Sequence, residues 1–119
     1  MSRATIAHMA YDEELAGRIR GLVGHEAGLT EQKMFGGLAF MIGGNMAIAA
    51  SGQGGVLVRV DPADSESLVA STSAEEMVMR GRAMSGWLRV PTQDVQTHDD
   101  LSIWVDRGVA YARSLPAKG

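Results

Sequence analysis

Cysteine is missing from the 119-residue chain. That excludes a disulfide framework, a thiol nucleophile and any Cys-ligated zinc or iron–sulfur centre. Positive charge is scarce as well: 11 Lys and Arg stand against 14 Asp and Glu, a formal charge of −3. A balance of that sign leaves no footprint for non-specific nucleic-acid binding, so direct nucleic-acid binding is disfavoured. Long apolar runs are also missing. None approaches the ~20 residues of a membrane span, and Met1 to Ala10 lacks the apolar stretch of a signal peptide. The expectation is a cytoplasmic protein without membrane association. No internal repeat or low-complexity tract interrupts the chain.

What is present is ordinary for a globular domain: 45% apolar and 21% charged residues. A chain of this length buries about two-thirds of its unfolded surface, enough for one core. The expected organisation is a flexible segment over 1–10, a single domain over 11–116 and a tail over 117–119. Leu15, Ile19, Leu22 and Val23 recur at helical spacing behind the acidic Asp12-Glu13-Glu14, which predicts a helix from 12 to about 25. An extended run follows from Lys33 to Ile42, and Gly36-Gly37 inside it suggests a bulge or a close backbone approach. Gly43-Gly44-Asn45 is a hairpin signal leading into Met46–Ala50, and a second glycine turn over 51–55 leads into Val56–Val60. Asp61-Pro62-Ala63-Asp64 opens a helix to about residue 70, with Asp61 as cap and Pro62 in the first turn. Two short strands are then expected near 77–82 and 86–90, joined by Ala83-Met84-Ser85. Thr97 with Asp100 resembles a capping box and starts a third helix that stops before Pro116. The order α-β-β-β-α-β-β-α points to a two-layer α+β fold, an antiparallel sheet of about five strands with helices on one face.

No catalytic residue is proposed. The glycine clusters join strands and lack the strand–loop–helix setting of a phosphate loop. His8, His25 and His98 stand apart from one another, and the His98-Asp99-Asp100 cluster reads as an acidic helix start. No serine sits in a nucleophile elbow. Eight methionines are many for this length, and Met34, Met41, Met46, Met77, Met79 and Met84 fall on or beside predicted strands. Thioether sulfurs serve more often as core and interface filler than as Cu(I) ligands. Neither a metal nor a cofactor is expected.

Arginine gives the sharper signal. In strands, residues two apart leave the same face. That parity places Arg80 and Arg82 together with Val78, with Met77, Met79 and Gly81 opposite, and Trp87 with Arg89 opposite Leu88 and Val90. Arg59 lies opposite Val56, Val58 and Val60. The candidate binding residues are therefore Arg59, Arg80, Arg82, Trp87 and Arg89, on the side of the sheet that no helix covers. Clustered guanidiniums need neutralising. Glu75 or Glu76 supplies this in one reading, as ordinary surface ion pairs. In the other, an anion or a partner's acidic face is gripped by the planar fork of arginine beside a stacking indole. Residues 38–50 are apolar on both faces, so a helix or a second subunit covers the second one; a twofold homodimer is expected.

Four stretches together resemble the N-terminal domain of the TfoX/Sxy family of bacterial competence regulators. They are Lys33-Met34-Phe35-Gly36-Gly37, the hairpin through Gly44-Asn45-Met46, the strand exit Leu57-Val58-Arg59-Val60-Asp61, and the run from Met79 through Arg80-Gly81-Arg82 and Gly86-Trp87-Leu88-Arg89 to Val90. The likeness spans roughly Ala10 to Leu115. It implies a two-layer α+β fold, and a role in transcription alongside a cyclic-AMP receptor protein rather than catalysis. Full-length regulators carry a second, C-terminal domain, and the resemblance supplies no catalytic residues. The resulting reading is a non-enzymatic interaction or regulatory domain with a protein partner in transcription regulation. The alternative is a small-molecule or anion-binding protein that uses the arginine face.

Overall fold

Asp12 opens the first helix, α1 (Glu13–Val23), by accepting from the backbone N–H groups of Glu14 at 2.9 Å and Leu15 at 3.1 Å. The apolar stripe of α1 buries Leu15, Ala16, Ile19 and Val23. This computed structural model describes residues 11–34 and 36–117. The expected flexible segment 1–10 and the last two residues of the expected tail lie outside them. Four strands follow α1: β1 (Leu29–Met34), β2 (Gly37–Ile42), β3 (Asn45–Ala50) and β4 (Val56–Arg59). Then come α2 (Pro62–Ser71), β5 (Glu75–Met79), β6 (Arg82–Val90) and, after a short 3₁₀ turn, α3 (His98–Ser114). Asp61 caps α2 by accepting from Ala63 N–H at 2.9 Å, and Thr97 caps α3 by accepting from Asp100 N–H at 3.0 Å.

The strands form one six-stranded sheet in the order β1-β2-β3-β4-β6-β5, with every neighbouring pair antiparallel. The α+β class and the succession of elements are as the sequence indicates, with one strand more than about five. The extended run breaks at a turn through Gly36, and its upstream half begins at Leu29 rather than Lys33. All three helices pack on one face, over Leu38, Phe40, Ile42, Ile48, Val58 and Leu88. Phe40, Ile48, Val58 and Leu88 are completely buried there. The centre of α3 crosses β3 at Gly108, where an added Cβ would meet the carbonyl oxygen of Ala47. Ala47 is itself the extra residue of a bulge, because the β2–β3 register steps from Phe40↔Ile48 to Met41↔Met46. Helix and sheet thus meet backbone to backbone.

Two expectations about the last hairpin are corrected. Ala83, Met84 and Ser85 lie within β6 rather than in a turn. The turn is Arg80-Gly81, with φ of 54° and 78°, a two-residue loop closed by Met79↔Arg82. Arg80 therefore does not share a strand face with Arg82 and Val78. Met77 and Met79 share one with Arg82 and Met84 instead, as the pairs Met77↔Met84 and Met79↔Arg82 require. A large bulge then interrupts β6, the register stepping from Met77↔Met84 to Glu76↔Leu88. Gly86 sits in it at φ 88°, a conformation open to glycine without cost. Its N–H donates to the buried Ser65 Oγ at 3.1 Å, and that hydroxyl donates to Glu76 Oε2 at 2.8 Å.

The packing of α3 leads to a paired expectation. Gly108→Ala destabilises by about 1–3 kcal/mol through overpacking. Gly17→Ala, in α1 with nothing within 4 Å of the added methyl, stabilises by about 0.5–1 kcal/mol. Urea unfolding of the two variants checks both signs. Arg80 carries backbone strain, since a non-glycine residue at positive φ costs roughly 1–2 kcal/mol. Arg80→Asn should raise the unfolding free energy by up to about 1 kcal/mol, asparagine being the better fit to this turn.

Candidate functional site

The face opposite the helices holds a second apolar cluster to which, among the described residues, no helix contributes. Ala39, Met41, Met46, Ala49, Leu57 and Met77 are its buried members, with Met34, Met79, Met84 and Trp87 packed against them. Six methionines therefore converge on one side of the sheet. The bulge at Gly86 makes this possible. Met84 and Trp87 are three residues apart and would leave opposite faces of an unbroken strand, yet both belong to this cluster.

The five arginine and tryptophan positions fall into three groups, with Arg80 in the hairpin turn at the end of this face rather than on it. Arg59 and Trp87 are direct cross-strand partners, and the guanidinium carbon lies 4.9 Å from the centre of the indole. It also lies 5.6 Å from the Tyr111 ring of α3, so the cation is held between two aromatic rings. Such contacts contribute about 0.5–2 kcal/mol depending on desolvation. Arg80, Arg82 and Trp87 line one groove of about 400 Å³ together with Met79, Met84 and Ser85. Arg89, the partner of Leu57 and Glu75, sits at the far end of β6 and donates to Ser51 Oγ at 3.2 Å. The register sets Arg82 opposite Met79 and Arg89 opposite Glu75, four residues along β5, so the two are roughly 13 Å apart, beyond a Debye length of about 8 Å. Spacing, rather than pairing, relieves their repulsion.

Glu75 lies directly across from Arg89 on the same face but makes no ion pair with it among the described residues. Glu76 faces the helix layer and accepts from Ser65, and among the described residues no ion pair includes Arg59, Arg80, Arg82 or Arg89. The ion pairs lie elsewhere. Arg20 pairs with Glu31 at 2.6 Å, and Glu26 pairs with Arg113 and with His25. Hydrogen bonding from Arg113 holds the Glu26 carboxyl below the usual carboxylate range, and Arg20 does the same to Glu31. Residues absent from the sequence-level site are Tyr111, Met79, Met84 and Ser51. Tyr111 follows Trp104 by two turns of α3, a spacing legible in the sequence, whereas its contact with Arg59 depends on how α3 crosses the sheet. A separate cleft of about 450 Å³ between α2 and α3 is lined by Asp61, Asp64, Arg107 and Tyr111 among others.

Because the Glu26 carboxyl is depressed in the folded state, its contribution is complete above the ordinary carboxylate pKa and is lost as pH falls through the lowered value. At neutral pH Glu26→Gln should cost a few tenths to about 1 kcal/mol. The gap from wild type should close on acidification in urea titrations at several pH values.

Among the described residues, no helix is long and apolar enough to cross a membrane. Neither curated proteins nor solved structures yielded a match to this chain. The family model for the TfoX N-terminal domain matches residues 22–112. That stretch runs from the end of α1 to the last turns of α3 and takes in the whole sheet with its two faces. The chain belongs to the TfoX N-terminal domain family.

Proposed function

We propose that this domain is a non-enzymatic, cytoplasmic regulatory module that acts by protein contact through its helix-free sheet face. One observation carries the reading: the half-buried Met34, Met79, Met84 and Trp87 form the accessible rim of the thioether cluster, bordered by arginines that make no ion pair among the described residues. Their chemistry suits binding rather than catalysis. Guanidinium, indole and thioether groups neither give up nor accept a proton near neutral pH, so the face offers no general acid or base. Methionine supplies an adaptable apolar surface, and arginine supplies bidentate donors for carboxylates. An acidic face on a partner protein, in transcription regulation as the family suggests, meets both requirements. A homodimer is part of the same reading.

The groove beside Arg80, Arg82 and Trp87 favours a second reading, in which a small anion is the ligand. Affinity capture with wild type and an Arg80→Ala/Arg82→Ala double variant separates the two. Loss of specific proteins with the double variant is the expected result, and equal recovery from both baits would discard the face. Thermal-shift screening with phosphates, nucleotides and dicarboxylates tests the small ligand. One present at 100 times its dissociation constant stabilises by about 2.7 kcal/mol, and the double variant should lose that response.

A further inference from the structure

The two edges of the sheet are not alike. The outer strand β1 carries Thr30-Glu31-Gln32-Lys33, and Arg20 of α1 reaches across to Glu31. Charged side chains and a crossing guanidinium are the usual protection of an edge. The other outer strand, β5, reads Glu75-Glu76-Met77-Val78-Met79, with no lysine, proline or bulged residue of its own. Val78 is 61% exposed, one of two large apolar residues so exposed among those described. Among the described residues, no strand lies against the outer side of β5.

Hairpin geometry fixes which backbone groups this edge offers. The closing pair of a two-residue loop, Met79↔Arg82, exchanges hydrogen bonds, so the next pair, Val78↔Ala83, does not. The N–H and C=O of Val78 therefore point away from β6. The strand is also self-complementary in charge, with acids at its start and Arg80 just past its end. Laid antiparallel on a second copy about Val78, it sets Val78 against Val78, Met77 against Met79, and Glu76 against Arg80. Sums of two residue numbers are constant in such a pairing, so no other register satisfies the outward Val78 groups about a twofold through that residue.

We propose that β5 is a self-pairing edge through which two copies of this domain join antiparallel, centred on Val78, into one continuous sheet. The inference rests on the reading that the domain works by protein contact. Local twofold axes of an antiparallel pair stand perpendicular to the sheet, so both helix-free faces end up on the same side. Met77 and Met79 of the two copies meet at the axis and fuse the two thioether clusters. The twin arginine faces then form a single surface, twice as long as either alone. Five residues a side bury less than the roughly 1,200 Å² of a stable interface, so association is concentration-dependent.

Light scattering on the full chain over a hundredfold concentration range tests the pairing. The apparent mass should climb from 12.6 kDa towards twice that value. Val78→Lys should hold the mass at the monomer value with an unchanged unfolding midpoint, since its side chain is already solvated. Amide exchange on wild type gives a second readout that needs no variant: the N–H groups of Val78 and Glu76 should gain protection as concentration rises. A wild-type monomer throughout, a dimer that Val78→Lys leaves intact, or exchange at Val78 indifferent to concentration would each overturn the proposal. So would protection of Val78 that arises only when another protein is added, which would make the paired strand foreign. Capture that still depends on Arg80 and Arg82 in monomeric Val78→Lys would remove the edge pairing and leave the docking face standing. Dimerisation without any arginine-dependent capture would do the reverse.

Discussion

The buried hydroxyl of Ser65 joins three elements that would otherwise be independent: α2, which carries it, β5 through Glu76, and the bulge of β6 through Gly86 N–H. Ser65 is 1% exposed, so losing either partner would strand a polar group away from water, at a cost of about 1–3 kcal/mol. The bulge it secures resets the parity of β6. Upstream, Arg82 and Met84 look to the helix-free side; downstream, Leu88 and Val90 look to the core, and Trp87 with Arg89 look away from it. Without that reset the start of β6 would turn its thioether towards the helices. The composition of the outer face thus depends on a hydrogen-bond network on the inner one.

Sequence and structure agree wherever a single local signal was strong. Asp12, Asp61 and Thr97 announce the starts of α1, α2 and α3, because capping is decided by atoms within a turn of the cap. The alternation of Val56, Val58 and Leu57 locates β4, and the shared face of Arg59 and Trp87 follows from parity on β4 and the downstream half of β6. Failure came at the β5–β6 hairpin. Arginine is a poor guide to a turn that needs positive φ, and Arg80-Gly81 lacks the Asn-Gly or Asp-Gly signature. Gly86 reads as a strand start in the sequence because its bulge is fixed by a hydroxyl that lies 21 residues upstream. Long-range hydrogen bonds of that kind leave no periodic trace. Parity is an unforgiving tool: one inserted residue reverses every face assignment beyond it.

The helix-free face has an unusual division of labour. Its centre, Ala39, Met46, Ala49, Leu57 and Met77, is buried and makes no polar demand, while two of its cations are held from the side. Arg59 rests between two rings, and Arg89 is held by Ser51. A guanidinium already oriented loses less conformational freedom when it binds than a free one. Arg80 and Arg82, both exposed, have no such restraint. The face therefore combines restrained and free guanidiniums around a buried apolar centre.

Strain at Arg80 bears on why this hairpin is built as it is. A glycine or asparagine at that position would relieve the backbone. An arginine kept at φ 54° beside a groove that it helps to line is what a binding role would retain against stability. The same residue closes the charge pattern of β5, acids first and a base last, which an edge strand needs if it is to meet its own copy rather than an arbitrary one. Specificity at an exposed edge comes less from attraction than from the mismatches that other registers impose. Move the twofold by one residue and the outward backbone groups of Val78 lose their partners; move it by two towards the start of the strand and Glu76 faces its own copy instead of Arg80. Two independent constraints, hydrogen-bond phase and charge order, thus select one register on a strand only five residues long.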